Sequence, residues 1–421
     1  MRAKPRLLFV SPVFLFPTDA GGKIRTTNVL RGLKGGAFHI TLASPALPGQ
    51  LERHQTEISS VCDEFVHWPG QQRGRLFHLL RPLALMSKDP ASIVADFSAP
   101  GAHCIAGQLG HCDLLVVDFI HAAILVPSAF PVPSVVFTHN VEAKIFERHV
   151  KFAKTAFSRM IWRDQLTKMR RFEGTQLKRF TAVIAVSDGD KSAFRDDYGV
   201  TECRTIPTGV DLDFFRYDRP PRPANGAKLV FVGSMDWRAN IDAIEYFMDD
   251  IWPLIVTQLP HCTMTAVGRT PPSWLVARAR ERGLPWSFSG FVDDVRPFIR
   301  DADVYVLPLR VGGGTRIKVY EAMAIGCPMV STSIGVEGLP LTDEDHYLSA
   351  DDPADFAGKV VRLLNNPDVA QDLSVRARDF VNMNFGAQEV AKIFERICYE
   401  ALALPARVAN PMTVDTEYSS T

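Results

Sequence analysis

The sequence predicts an α/β protein made of two doubly wound parallel-sheet domains, and three observations lead there. Short runs of β-branched and aromatic residues alternate with longer helical patterns along most of the chain, as parallel strands covered by helices require. The alternation pauses once, over the proline-rich stretch RYDRPPRPANGAK at 216–228, which has no apolar periodicity and reads as a linker. At 421 residues the chain is also too long for one core, since domains typically hold about 100–200 residues.

Taken in order, strands are expected at 7–10, 39–43, 64–67, 114–118, 135–138, 182–186 and 204–206. A second series follows at 229–232, 263–267, 287–290, 304–307, 329–331 and 347–348. Between the first two strands of that series, Ile241, Ile244, Phe247, Ile251, Leu254 and Ile255 are spaced as one helix face requires. The expected domains are therefore 1–215 and 228–386, joined by a linker at 216–227. A helix at 387–403 packs back on the first domain in this reading, and 404–421, rich in Thr, Ser and Pro, is a disordered tail. Two such domains face each other across a cleft at the carboxyl ends of their sheets, where ligands of open α/β folds bind.

Composition narrows the function classes. With 46% hydrophobic and 22% charged residues the chain can bury large cores, which excludes a disordered or fibrous protein. Lys plus Arg and Asp plus Glu both number 47, so no global field recruits nucleic acid or an anionic membrane. The seven cysteines are scattered without a Cys-x-x-Cys pair, against a disulfide framework or a structural zinc site. Arg2, Lys4 and Arg6 before LLFVSPVFLF imitate a secretory signal, but Pro12 interrupts the run and a buried first strand is the better reading. The apolar stretch 114–137 contains Asp118, His121 and prolines, which disqualifies it as a bilayer span. The expectation is a reduced, cytoplasmic enzyme.

The densest chemical signal is PLRVGGGTRIKVYEAMAIGCPMV at 308–330, between two expected strands. Gly312, Gly313 and Gly314 form a turn into a helix that Gly326 and Pro328 end. Glycines let backbone approach a ligand, and the first N–H groups of the helix can bind an anion. Arg316 and Lys318 stand in the first turn, where cations oppose the helix dipole by about 0.3–1 kcal/mol each. A bound diphosphate reverses that cost; the alternative is that both cations reach solvent, or that Lys318 pairs with Glu321. Glu321 is a carboxylate in a mostly apolar helix, suited to accept from the two hydroxyls of a ribose, or else a surface residue paired to a lysine.

This segment resembles the signature of the retaining GT-B glycosyltransferases of family 4, of the exopolysaccharide-associated sugar transferase type. Glu321 matches the second glutamate of the family's Glu-x7-Glu motif, which binds the nucleotide ribose. Gly313 stands at the first, so the resemblance leaves donor-sugar contacts to backbone amides of Gly313, Gly314 and Thr315. FVGSMDWRAN at 231–240 resembles the family's diphosphate loop, with Ser234 near its Arg position and Arg238 near its Lys position. FSGFVDDV and DADVYVLPLR match further elements, and the loop of Gly290, Phe291 and Val292 is implied to frame the base. Asp301 and Asp303 read as a helix end and a strand start, and the resemblance implies no metal and no cofactor. In the first domain Gly21 and Gly22 form a strand-to-helix loop implied to contact donor or acceptor, and His139 falls where the family carries a histidine beside the donor sugar.

One segment departs from neutrality. At 147–180 ten cations, from Arg148 to Arg179, outnumber three carboxylates, with Phe157, Met160, Ile161 and Trp162 interleaved. A basic helix there can lie on an anionic membrane, or be a solvated face; no stacking motif supports nucleic acid.

The resemblance thus implies a retaining hexosyltransferase acting from a UDP-, GDP- or ADP-sugar on a glycan or lipid-linked acceptor, in exopolysaccharide or envelope synthesis. His139, Arg238, Arg316 and Lys318 are the expected catalytic residues. Gly21, Gly22, Ser234, Phe291, Gly313, Gly314, Thr315 and Glu321 are expected to bind donor. A non-catalytic sugar-binding subunit and a nucleotide-sugar epimerase are the alternatives.

Overall fold

The computed structural model describes residues 4–70, 81–153, 155–217, 227–311 and 317–406. The chain forms two compact units, one of Met1–Pro207 with Val390–Thr421, the other of Thr208–Glu389. Most of the expected linker, 218–226, and most of the expected tail, 407–421, lie outside the described residues.

The first unit holds β1 (Arg6–Val10), β2 (His39–Ala46), β3 (Glu64–Pro69), β4 (Leu114–Asp118), β5 (Ser134–Phe137), β6 (Ala182–Ala185) and β7 (Cys203–Thr205). They form one parallel sheet in the order β3-β2-β1-β4-β5-β6-β7. Its central strands read as continuous apolar runs because both faces are covered; Leu114 through Val117 and Val135 through Phe137 are fully buried. Each such side chain contributes about 1.5–3 kcal/mol relative to exposure. The covering helices include α1 (Gly21–Leu33), α2 (Ala99–Leu109), α3 (Glu142–Phe152), α4 (Ala156–Leu177) and α5 (Asp188–Tyr198).

The second unit repeats the plan with β8 (Lys228–Val232), β9 (Thr263–Val267), β10 (Trp286–Phe288), β11 (Val304–Leu307), β12 (Met329–Ser331) and β13 (Leu348–Ser349), ordered β10-β9-β8-β11-β12-β13. Its helices include α6 (Arg238–Tyr246), α7 (Trp252–Gln258), α8 (Ser273–Glu281), α9 (Ile317–Ile325), α10 (Pro353–Asn365) and α11 (Pro367–Asn384). In both sheets the winding reverses beside the first strand, between β1 and β4 and between β8 and β11, which is where open α/β folds bind ligands.

The last helix, α12 (Ala387–Leu402), packs largely in the first unit: Phe394 meets Phe137 edge-on at 5.3 Å, and Glu395 accepts the backbone N–H of Ala37 at 2.7 Å. The unit boundary falls before the expected residue 215. Val210 bridges to Gly386, and Phe215 packs in the second core, so the peptide after Pro207 is held by the second unit.

Two helix expectations need correction. The face running from Ile241 to Ile255 is divided by a π turn, Phe247–Ile251, between α6 and α7. Pro253, in the first turn of α7, has no N–H to continue the ladder. The basic stretch 147–180 is two helices, because the hydroxyl of Thr155 accepts the N–H of Ser158 at 3.1 Å and starts α4 afresh. Several of its cations are spent inside the fold. Lys168 donates to the carbonyl of Leu85 at 2.8 Å, Arg171 to that of Lys88, Arg170 meets Glu147, and Arg179 lies against the carbonyls of Val126 and Pro127. Lys154 lies outside the described residues.

Two contacts shape the first unit. Buried Glu173 of α4 accepts the N–H groups of Glu142 (2.8 Å) and Ala143 (3.2 Å) at the start of α3, and the hydroxyl of Tyr198 (2.7 Å). Burial nonetheless pushes its carboxyl up to about 7. Gly22 lies under the ring of Phe119, where a Cβ would stand 2.5 Å from Cζ, and Phe119 itself has φ +60°.

Glu173→Ala leaves two helix N–H groups and a hydroxyl unpaired, and urea unfolding will show a loss of about 1–3 kcal/mol. Because the folded protein holds the Glu173 proton more tightly than the unfolded chain, ionisation erodes stability as pH rises from 4.5 to about 7 and adds nothing beyond. Glu173→Gln removes that slope. Gly22→Ala forces the Phe119 ring aside and lowers stability by about 1–3 kcal/mol in the same assay.

Candidate active site at the strand switch points

In the second unit the carboxyl ends of β8 and β9 are held close together. The N–H of Gly233 donates to the carbonyl of Val267 at 2.8 Å and that of Met235 to Arg269 at 3.0 Å. A Cβ on Gly268 would fall 2.0 Å from the Gly233 carbonyl oxygen, so only glycine fits there. This approach fixes the loop from Ser234 to Trp237 that opens α6.

Around that loop the expected residues gather. The Ser234 hydroxyl donates to Asp236 Oδ1 at 2.7 Å, and its backbone carbonyl accepts from Asn240 Nδ2 at 2.7 Å. The same buried Asn240 accepts at Oδ1 from Lys318 Nζ at 3.2 Å, and Lys318 lies 5.0 Å over the Phe231 ring. One amide thus ties the β8 loop to the first turn of α9. Arg238 opens α6, exposed, with no hydrogen bond to any described residue. Gly313, Gly314, Thr315 and Arg316 lie outside the described residues, as does Gly312.

Glu321 stands one turn further along α9, whose other side chains are almost all buried in the second core. It is half-buried and accepts no hydrogen bond from any described residue. Burial pushes its carboxyl up to about 7, with Lys318 acting in the opposite direction. Tyr305 is close enough that the Glu321 charge raises its phenol further above the usual range, after burial itself. The helix ends as its sequence suggests: Gly326 has φ +82°, and the N–H of Cys327 returns to the Ala322 carbonyl at 2.9 Å. Phe291 is 68% exposed on the loop after β10, beside Gly290, which bridges to Gly268. Asp301 pairs with Lys228 Nζ at 2.9 Å, and Asp303 accepts the Lys228 N–H at 2.8 Å; both hold the β8 and β11 ends.

The first unit assembles a different cluster at its own switch point. Asp118 ends β4 fully buried and accepts from Thr26 Oγ1 at 2.9 and 3.1 Å, from Ser11 Oγ at 3.4 Å and from His139 Nε2 at 2.8 Å. Arg25 Nη1 lies 3.4 Å from His139 Nδ1. A guanidinium only donates and a carboxylate only accepts, so the neutral imidazole with its proton on Nε2 satisfies both neighbours. Burial favours that same neutral form and lowers the His139 pKa, against the pull of Asp118. It also lowers Arg25 to about 10, opposed by Asp190 and Asp118, so the guanidinium stays charged near neutrality and balances the Asp118 carboxylate. Phe119 stacks on the imidazole at 3.8 Å and 11°. Gly21 and Gly22 open α1 beside this cluster, with no side-chain cap and no acidic residue in its first turn.

Sequence reading missed Arg25, Thr26 and Asp118 here, and Asp236, Asn240 and Arg269 in the second unit. The available signal was position: Asp118 and Arg269 each follow an apolar strand at its carboxyl end. Among the described residues no group of three or more His, Cys, Asp or Glu side chains is arranged to hold a metal ion, and no helix is long and apolar enough to cross a membrane.

Two family models cover most of the chain. One described as Glycosyltransferase Family 4 matches residues 20–214, and one described as Glycosyl transferases group 1 matches 226–366. A phosphatidyl-myo-inositol mannosyltransferase of Mycobacterium tuberculosis is 29% identical over 232 residues, 52% of this chain and 59% of that protein. Among solved structures, a sucrose-phosphate synthase of Thermosynechococcus elongatus superposes with a TM-score of 0.70 at 16% identity, over 95% of this chain and 100% of that one. The Anabaena protein HepE, in complex with UDP and glucose, gives 0.64 at 13% identity over 94% and 100%. Two Rossmann-like sheets, each carrying its own family match and each gathering polar residues where the strand order reverses, place this chain among the family 4-like glycosyltransferases of GT-B fold.

Proposed function

We propose that the protein is a retaining hexosyltransferase, drawing on a nucleoside-diphosphate sugar held by the second unit and transferring to a glycan or lipid-linked acceptor held by the first. The observation that carries this reading is the cluster at the β8–β11 switch point. There an exposed arginine opens α6, a lysine stands at the start of α9, and one turn further on a half-buried carboxylate accepts no hydrogen bond from any described residue. Cations suit a diphosphate and the carboxylate suits a ribose diol. The HepE complex with UDP and glucose supports the donor class, and the mannosyltransferase relative supports transfer of a hexose.

In this mechanism the acceptor hydroxyl attacks the anomeric carbon on the face the diphosphate leaves. The C–O bond to phosphate breaks as the new glycosidic bond forms, and the hydroxyl proton passes to the departing phosphate oxygen. Arg238, Lys318 and Arg316 stabilise the charge that builds on that oxygen, which is where electrostatic catalysis acts. The nucleotide sugar is a substrate, and no resident cofactor or metal enters the scheme. In the first unit His139 is fixed between Asp118 and Arg25, and the resemblance is what gives it a role beside the donor sugar.

A specific surface supports the lipid-linked acceptor and an envelope or exopolysaccharide role at the inner face of the plasma membrane. Phe157 and Met160 are 69% and 61% exposed at the start of α4, one turn apart, beside exposed Arg159 and Arg163. Apolar side chains among cations are what an anionic headgroup layer binds.

Arg238→Ala lowers donor turnover by about 10–100-fold through loss of a charge-assisted hydrogen bond, and Glu321→Ala lowers it comparably. Steady-state turnover of UDP-, GDP- and ADP-sugars checks this, and full activity in both variants would refute the site. Because the ribose diol needs an ionised acceptor and the Glu321 carboxyl sits at about 7, nucleotide affinity rises from acid to neutral pH and levels off above. Calorimetry of Glu321→Gln will show a flat profile in its place. The double variant Phe157→Ser, Met160→Ser will sediment less with phosphatidylglycerol vesicles than the parent protein, with unchanged melting temperature.

A further inference from the structure

We infer that Arg269, whose guanidinium stands against Ser234 and Asp236, is a diphosphate-binding residue. This rests on the reading that the second unit binds a nucleoside diphosphate, and goes beyond it by assigning a residue on a different strand.

The backbone leaves Arg269 little choice of neighbourhood. β8 and β9 are paired in register up to Val232 and Val267, and the Gly233 and Gly268 contact carries that pairing past the sheet. Arg269 therefore emerges beside Ser234, two residues beyond the end of β9. Its Nε donates to Ser234 Oγ at 2.9 Å and to Asp236 Oδ2 at 3.0 Å. Asp236 Oδ1 accepts the Ser234 hydroxyl, so one carboxylate grips both side chains. The next residue, Thr270, has φ +57°, a left-handed conformation unusual for a β-branched residue, and it turns the chain sharply away.

This geometry leaves the business end of the arginine open. Only Nε is engaged; neither Nη group hydrogen-bonds to a described residue, and the side chain is 44% exposed. A guanidinium pinned by its Nε edge presents its remaining N–H groups as a preset fork, which suits two oxygens of a phosphate better than a lysine does. Asp236 offsets part of the positive charge, so the contribution is directional hydrogen bonding rather than a long-range field. Arg238 opens α6 at the end of the same β8 loop, and Lys318 on α9 is joined to that loop through Asn240.

The test is calorimetry with UDP, GDP and ADP, each compared with its own nucleoside, on the full chain and on Arg269→Gln, Arg269→Lys and Glu321→Gln. For whichever diphosphate the parent protein binds, Arg269→Gln weakens it at least tenfold and leaves the nucleoside affinity unchanged, while Arg269→Lys recovers part of the loss. Glu321→Gln, by contrast, weakens diphosphate and nucleoside alike. Unchanged diphosphate affinity in Arg269→Gln overturns the assignment while leaving the site reading intact. An equal loss for nucleoside and diphosphate in that variant also overturns it, because it signals a collapsed loop. If the parent protein binds none of the three diphosphates, the site reading itself fails and this assignment with it.

Discussion

A parallel sheet buried on both faces can present functional groups only at its edges and ends, and this constraint organises both halves of the molecule. The central strands carry continuous apolar runs whose backbone groups are used in the ladder, so little along their length is available to a ligand. Parallel pairing brings every carboxyl end to one edge of the sheet. Where the winding reverses, adjacent loops diverge and leave room. Ser11, Asp118 and His139 cluster there in one unit, Ser234 and Lys318 in the other, far apart in sequence but close in space.

The two clusters treat buried charge in opposite ways. In the first unit Asp118 is surrounded by hydroxyls, an imidazole and a nearby guanidinium, and so tolerates full burial. A polar network satisfied to this degree rigidifies its surroundings, here the start of α1 and the Phe119 turn. In the second unit Glu321 accepts no hydrogen bond from a described residue, and burial raises its carboxyl to about 7. A carboxyl with fewer hydrogen bonds loses more on burial and holds its proton more tightly.

Basic residues illustrate why charge counted along a sequence is a weak guide to partners. The surplus between residues 147 and 180 looks like a membrane-binding helix, yet Lys168, Arg170 and Arg171 of α4, and Arg179 just after it, are bound to carbonyls and a carboxylate of their own unit. What survives as a candidate surface is the short turn around Phe157 and Met160. Conversely Arg269, one residue past a glycine at a strand end, is inconspicuous in sequence yet bonds Ser234 and Asp236 across the strand ends.

The sequence by itself determined the alternation of strands and helices, the two-sheet organisation, the glycine stop after α9 and the membership of its motifs, because each is written in local periodicity, turn residues or short spacing. It also marked Ser234, Arg238, Lys318 and Glu321, since all lie on two contiguous motifs. Only the tertiary structure decided which side chains meet across strands: Asp118 with His139 and Thr26, Asn240 with Lys318, Arg269 with Ser234. Those pairings depend on strand order and register, which bring together residues separated by up to 92 positions, and no window along the chain encodes them.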